Sequence, residues 1–566
     1  MKRAAVESSM SAAGRGTAPG DATNAHEASS AAATEAVYLP GRLGEPTAGS
    51  APGLWTVVRL GASARSVLAA AAGLLLAAAF APLDWWPLAF LCPAALIALW
   101  QGATPRAAAW SGFWFNFGTF AAGTYWLYIS IHHFGGAPLW IAFLLMGGLV
   151  GIMALYGALL GFAVARWLPR SGALRWMAGI PAAWVFIEWW RGWFLTGFAW
   201  LSLGYTQTDT WLGRTFAPLL GVYGLTALIV VGAGALVTLL WGSRRDRLLA
   251  IAALAAPWVV AACLATFDWT HSVGKPVGVA IVQGAIPQEE KWQDANRDTT
   301  LALYRRLTES ALGTPIIVWP EAALPDLAND FTDYLLGLYR DAHLRGSSLL
   351  IGAVRADGDD IYYNSVLSLS DAGIGWYNKR HLVPFAEFFP VPRFVRAWLR
   401  LMSLPYSDFT RGAPDQPPLR AGGLNLATTI CYEDAYGSYE LPEMPESDAL
   451  VNVTNDAWFG HSSARYQHLQ ISRMRAMESG RYLIRAANDG VSAVIGPHGE
   501  IVAEAPEYRP FVLRATIRAE RGLTPFDRCG NWLIISLGTI TLALVLGYGR
   551  PSRQWPPLPR RRRLAA

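Results

Sequence analysis

Leu424-Asn425-Leu426-Ala427-Thr428-Thr429-Ile430-Cys431-Tyr432-Glu433-Asp434-Ala435-Tyr436 is an apolar, β-branched run that stops at a cysteine and turns acidic. Such a run reads as a buried strand delivering one thiol to a turn. A nucleophilic cysteine needs that placement, because its thiolate must reach substrate while a nearby base or cation lowers its pKa from about 8.5. A lone cysteine is otherwise a small packed core residue. The choice between the two rests on what neighbouring strands deliver.

Two further stretches have the same form. Pro315-Ile316-Ile317-Val318-Trp319-Pro320-Glu321 is an apolar strand followed by a carboxylate, and Gly375-Trp376-Tyr377-Asn378-Lys379 is a strand followed by an ammonium. Singly, these are an edge carboxylate and a solvated lysine. In an α/β sheet, however, three strand ends can converge at one carboxyl edge. Together they supply what acyl transfer requires: a nucleophile, a base for its proton and a fixed positive charge for the oxyanion.

The surrounding composition belongs to a membrane protein: 53% hydrophobic, 12% aromatic and only 15% charged residues, with 26 Trp. The net charge of +5 is small, and the arginines sit beside apolar segments instead of interleaving with aromatics, which argues against nucleic-acid binding. Cys92, Cys263 and Cys529 lie in or next to apolar segments, leaving Cys431 alone in the polar portion, without a disulfide framework or a zinc ligand set.

Residues 1–53 are rich in Ala, Gly, Ser and Thr and read as a disordered tail. Residues 65–267 contain seven apolar segments of roughly spanning length, centred on Ala72, Phe90, Phe120, Gly151, Trp184, Val230 and Pro257; residues 529–548 hold an eighth, and 549–566 form a basic tail. Arg106, Arg166, Arg170, Arg175, Arg244, Arg245, Arg247 and the Arg-rich end all fall on one side of such a membrane, which is expected to be cytoplasmic. Residues 268–528 then lie on the outer face. Gly147, Gly151, Gly157 and Gly161 form small-xxx-small pairs for helix packing, and Glu188 and Arg191 share a helical face as an ion pair.

Within 268–528, strands are predicted at Val277–Gln283, Pro315–Trp319, Ser348–Val354, Tyr362–Ser368, Gly373–Tyr377, Leu424–Ile430, Ala449–Val453 and Val491–Ile495. Helices are predicted at Asp294–Leu312, Leu327–Leu344 and Ser463–Ser479. Their alternation indicates an α/β domain with buried sheets.

The Trp-Pro-Glu, Tyr-Asn-Lys-Arg-His-Leu-Val-Pro-Phe and Ile-Cys-Tyr-Glu segments at Trp319, Tyr377 and Ile430 resemble the motifs of the nitrilase, or carbon-nitrogen hydrolase, superfamily. Joined to apolar spans, they resemble its membrane-embedded branch, the apolipoprotein N-acyltransferases of bacteria. Ile281–Gln288, Pro384–Glu387 and Asn455–Gly460 share in the match, which covers roughly Arg65 to Tyr548.

The resemblance implies a membrane helical bundle of about eight spans carrying an α/β nitrilase-like αββα sandwich. It implies Glu321 as general base, Lys379 as oxyanion stabiliser and Cys431 as nucleophile, with Glu387, Tyr432 and Glu433 in support. It also implies a membrane phospholipid as acyl donor, the α-amine of a diacylglyceryl apolipoprotein as acceptor, no metal or cofactor, and a catalytic domain on the periplasmic face of the bacterial inner membrane.

Trp319, Trp458, Phe388 and Trp398 are candidates for lining an acyl channel. Arg393, Arg396 and Arg400 make Phe388–Met402 an amphipathic segment suited to an interface. His381, His461 and His468 offer a Cys-His pair as a competing way to activate the thiol.

Overall fold

The structure, a computed structural model, describes residues 61–548 apart from 265, 359–360, 389–407 and 439. The expected disordered tail and basic tail, Trp398, and the amphipathic segment beyond Phe388 lie outside the described residues.

Every predicted apolar centre from Ala72 to Pro257 falls in a helix: α1 (Ala62–Leu76), α2 (Leu88–Leu99), α3 (Pro105–Gly123), α4 (Leu139–Trp167), α5 (Ile180–Arg191), α6 (Trp211–Trp241) and α7 (Arg244–Cys263). Among the described residues four helical stretches are long and apolar enough to cross a membrane: Ala62–Ala79, Leu139–Trp167, Trp211–Trp241 and Arg244–Cys263. The segment Leu88–Leu99 is apolar but shorter, α3 includes Arg106, Ser111, Asn116 and Thr119, and α5 ends after 12 residues. The expected count of about eight spans is therefore matched by helices but not by eight helices of spanning length.

Half of the small-residue expectation holds. A Cβ on Gly157 or Gly161 would come within 2.3 or 2.2 Å of backbone oxygens of Gly112 and Ala108, so α3 and α4 touch backbone to backbone. Gly147 and Gly151 face open space.

The polar portion contains twelve described strands. Sheet one holds β1 (His271–Gln283), β2 (Ile316–Val318), β3 (Ser348–Ala356), β4 (Tyr362–Ser370), β5 (Gly373–Asn378) and β12 (Phe511–Arg521), in the order β12-β1-β2-β3-β4-β5. Sheet two holds β6 (Leu419–Ala421), β7 (Leu424–Ile430), β8 (Ala449–Thr454), β9 (Leu483–Ala487), β10 (Ala493–Ile495) and β11 (Ile501–Glu504), in the order β11-β10-β9-β8-β7-β6.

Alternation along the strands builds three cores. Val279, Ile281 and Val318 meet Leu426, Ile430 and Val451 between the sheets. Ala280, Val282, Ile317 and Trp319 point the other way, onto α8 (Arg297–Ala311) and α9 (Thr332–His343), while Ala427 and Leu450 pack against Leu469 and Ala476 of α10 (Ala464–Ser479). The result is an αββα sandwich.

Strand direction places the site. β1, β2 and β3 run parallel, and two antiparallel steps through β4 return β5 to the direction of β2. The carboxyl ends of β2 and β5 therefore lie at the same edge of sheet one, and those of parallel β7, β8 and β9 share an edge of sheet two. α11 (Trp532–Tyr548) follows the sandwich and is apolar but short.

The helical and α/β portions are joined by hydrogen bonds. Gly221, at φ 65°, breaks α6 and leaves the Val222 N–H free to donate to Glu478 of α10 at 2.8 Å. Glu188 and Arg191 are a buried pair 3.6 Å apart, as expected of a structural ion pair. Arg191 also donates to the carbonyls of Phe198 and Trp200 at 2.6 and 2.7 Å, which fixes the loop facing the sandwich.

Candidate active site

β2 ends at Val318, and the chain crosses Trp319 and Pro320 to Glu321. This turn is held against β3: the Ala323 N–H donates to Gly352 O at 2.8 Å, and a Cβ on Gly352 would come within 2.2 Å of Pro320 O. Ala322 completes the turn at φ 46°, in the left-handed region. The Glu321 carboxylate then accepts from Asn364 Nδ2 at 2.7 Å and from the Asn455 N–H at 3.0 Å, with Lys379 Nζ at 3.4 Å.

Lys379 follows β5 and is 1% exposed. Its ammonium lies 2.9 Å from Glu387 Oε1, and Asn364 bridges both carboxylates by donating to Glu387 at 2.8 Å. Burial works to lower the lysine pKa, but Glu387 and then Glu321 outweigh it and hold the group above the usual lysine range. The cation is permanent at physiological pH.

Cys431 begins the short 3-10 turn Cys431–Ala435 after β7, at φ 53°. It is half-buried, within electrostatic reach of Glu321 and Lys379. Burial and the Glu321 charge push its thiol well above the ordinary range, against the pull of Lys379. The resting group is a neutral thiol beside a carboxylate, an arrangement that calls for a base during attack, not a standing thiolate.

The supporting residues are pinned by identifiable contacts. Glu433 is fully buried and accepts from the N–H groups of Arg380 at 2.5 Å, His381 at 2.9 Å and Ile430 at 2.8 Å, and from the Tyr377 hydroxyl at 3.0 Å. It ties the cysteine turn to the lysine loop. Tyr432 stacks on Trp200, and its hydroxyl and that of Tyr436 each donate to Gly197 O at 3.1 Å. The turn carrying the thiol thus rests on the helical portion.

Trp458 is 40% exposed, in the turn Asp456–Phe459, where its carbonyl accepts from Ser130 at 2.7 Å. Phe388 is half-buried under the Arg411 guanidinium, 5.1 Å from the ring centroid. Trp319 is placed differently from the expectation: fully buried, stacked on Tyr304 and donating to Thr308, it belongs to the core beneath α8. Strand parity explains this, since Trp319 shares a face with Ile317, which also packs in that core.

The histidines are engaged elsewhere. His461 stacks on Tyr508, and His381 packs against Tyr436 with the rings tilted by 34° and 4.1 Å between centroids. His468 reaches the cysteine through the main chain, 3.2 Å from Cys431 O, while pairing with Asp456 at 2.8 Å and Asp434 at 3.0 Å. Sequence reasoning missed Asn364, Asn455 and Lys291; Lys291 Nζ donates to Glu321 O at 3.1 Å. Asn455 had one signal, its place at the end of β8 in the Asn455–Gly460 motif.

A cavity of about 390 Å³ adjoins this turn where the two portions meet, lined by Trp193, Tyr223, His381, Arg411, Tyr436 and Arg475 among others.

An αββα sandwich with glutamate, lysine and cysteine at its strand ends, joined to apolar helices, defines a membrane-associated member of the carbon-nitrogen hydrolase superfamily. Residues 278–524 match the carbon-nitrogen hydrolase family model, and residues 72–235 match that of the apolipoprotein N-acyltransferase N-terminal domain. The apolipoprotein N-acyltransferase of Azotobacter vinelandii is 41% identical over 87% of this chain and 96% of its own. Those of Methylococcus capsulatus and Pseudomonas aeruginosa are 40% and 39% identical, over 83% and 88% of this chain and 94% and 97% of theirs. Among solved structures, a carbon-nitrogen hydrolase from Helicobacter pylori G27 aligns with 48% of this chain and 92% of its own at 17% identity, with a TM-score of 0.33. The chain belongs to the apolipoprotein N-acyltransferase family and is an acyltransferase.

Proposed function

We propose that the protein transfers a fatty acyl chain from a membrane phospholipid to the α-amine of the N-terminal diacylglyceryl-cysteine of an apolipoprotein, through a thioester at Cys431. The observation that carries this reading is the convergence of Glu321, Lys379 and Cys431 at strand ends of two facing sheets, on a turn that Tyr432 and Tyr436 fasten to the helical portion.

In the first half-reaction Glu321 takes the thiol proton and the thiolate attacks the ester carbonyl. Lys379 neutralises the tetrahedral oxyanion, with Glu387 and Asn364 aiming it. The ester C–O bond breaks, and Glu321 returns the proton to the departing lysophospholipid. In the second half-reaction the acceptor amine attacks the thioester and gives a proton to Glu321. The C–S bond then breaks, and that proton restores the thiol. Trp458 and Phe388 are assigned to the acyl channel, with Trp398 as a third candidate.

The domain plan in this reading is a seven-span portion at 65–267, a catalytic domain at 268–528 on the periplasmic side of the inner membrane, and an eighth span at 529–548. The one-sided arginine distribution supports that orientation. Incubation with labelled phospholipid and a diacylated lipopeptide tests the function: an amide product supports it, and release of free fatty acid alone makes the protein an amidase-type hydrolase instead.

A further inference from the structure

Lys291 lies in the turn that follows the Ile281–Gln288 motif, a segment held against the site by the Ile286 N–H donating to Asn488 Oδ1 at 3.1 Å and by Asn455 Nδ2 donating to Gln288 Oε1 at 2.8 Å. It is 3% exposed, and its ammonium donates to the main-chain carbonyl of Glu321, the residue immediately before left-handed Ala322. A buried ammonium is costly to desolvate unless hydrogen bonds and opposite charges compensate it.

The charged and titratable groups facing it are Glu321, Asp489 and Cys431, and its own neighbour Trp292 presents its ring 5.9 Å away. One of three ammonium donors is used by the Glu321 carbonyl. Glu321 thus lies between two buried cations, with Lys379 at the carboxylate and Lys291 at the main chain.

We infer that Lys291 is a positioning residue for acyl transfer: it fixes the main chain at Glu321 and sets a second buried cation facing that residue and Cys431. The inference rests on the proposed role of Glu321 as base. Burial pushes the Lys291 ammonium down to about 8, against the pull of Glu321, Asp489 and Cys431, so it still carries its charge at neutral pH.

The test is the pH dependence of two rates in the full-length protein: acyl-thioester formation from phospholipid, and alkylation of Cys431 by iodoacetamide located by peptide mass mapping. Removing a cation that faces Cys431 disfavours the thiolate, so in Lys291→Gln the acidic limb of both profiles moves to higher pH by about one unit. Near the foot of the limb the rate falls about tenfold, with the KM for phospholipid within about twofold of wild type. Lys291→Gln retains a donor for the Glu321 carbonyl, so it separates charge from support of the fold. Lys291→Arg, which keeps the charge, leaves the limb where it is. A Gln variant with a wild-type limb overturns the inference, whatever its stability. Alkylation needs neither lipid nor acceptor. A shifted alkylation limb in a protein that makes no amide therefore upholds Lys291 while rejecting the acyl-transfer reading.

Discussion

Lys379 Nζ lies nearer to Glu387, at 2.9 Å, than to Glu321, at 3.4 Å. The closer carboxylate also accepts from the Val383 N–H at 2.8 Å, so it is tethered to the loop that presents the lysine. Glu321 is tethered from the other sheet, through the Asn455 N–H. In the proposed mechanism this division separates aiming the ammonium from taking a proton.

Glu387→Gln removes the nearer partner and keeps the shape. The ammonium loses the larger of the two carboxylate influences that raise its pKa, and the amide turns a donor toward either Lys379 or Asn364. Acyl-enzyme formation is expected to slow about a hundredfold, as for loss of one oxyanion-stabilising group. Thermal unfolding in detergent should register a loss of up to about 3 kcal/mol, since a buried pair is weakened while Glu321 remains. A rate within a factor of a few of wild type would separate Glu387 from the aiming of Lys379.

Glu433→Gln tests a purely architectural carboxylate. Four donors converge on its two oxygens, and an amide has one oxygen to offer them. The turn of Cys431 and the loop of Lys379 are expected to separate, with a stability loss of about 3 kcal/mol and near-complete loss of activity. If the variant unfolds like wild type yet is inactive, Glu433 touches the chemistry directly.

What the sequence made legible follows from locality. Ile430-Cys431, Val318 to Glu321 and Tyr377 to Lys379 each join an apolar run to one reactive group within three residues, so each strand end was legible locally, although its chemistry was legible only from the three together. β9 was not, because Arg485 interrupts a fully buried strand, and its partners Asp456, at 2.7 Å, and Asp434 come from distant parts of the chain. β12 carries Arg514, Arg518 and Glu520 between the inward Leu513, Ile517 and Ala519, and its edge position was hidden by those charges. Asn364 and Lys291 had no signal at all: a buried amide or ammonium looks like a surface residue until the sheets are brought together. Trp319 sits in the Trp-Pro-Glu motif, yet strand parity puts it on the Ile317 face, away from the site.

His468 gives the fold a pH dependence whose sign can be worked out. Burial and Arg485 work to lower its pKa, but Asp434 and Asp456 prevail and raise it from 6.5 to about 9. A group whose folded pKa lies above its unfolded value stabilises fully below the unfolded pKa and loses that contribution as pH rises through the folded one. Stability should therefore decline between pH 6.5 and 9, by an amount on the order of 3 kcal/mol. Unfolding midpoints measured across that window should fall in wild type and flatten in His468→Gln. An equal slope in both would assign the effect to other groups.

The proposed orientation is checked by a reporter fused after Val273, just inside β1. Activity characteristic of export is expected, because the proposed topology puts Arg106, Arg166, Arg170, Arg175, Arg244, Arg245 and Arg247 on the opposite side. A reporter active in the cytoplasm would reverse the topology.

The order of events supplies the last prediction. With phospholipid present and no acceptor, an acyl thioester should accumulate at Cys431, because the covalent route divides one transfer into two and lets the lipids visit one pocket in succession. Ping-pong kinetics follow. For the intermediate to persist, water must be kept from the carbonyl. The walls proposed for this are Trp458 and Phe388, together with the Tyr432 and Tyr436 rings that rest on the helical portion. Intact mass after incubation with phospholipid should show one added acyl chain, absent in Cys431→Ala and removed by hydroxylamine or a lipopeptide amine. That variant should fold normally, since alanine meets φ 53° at no greater strain than cysteine. Amide formation by wild type without any adduct under rapid quench would rule out the thioester and leave direct transfer between the two lipids.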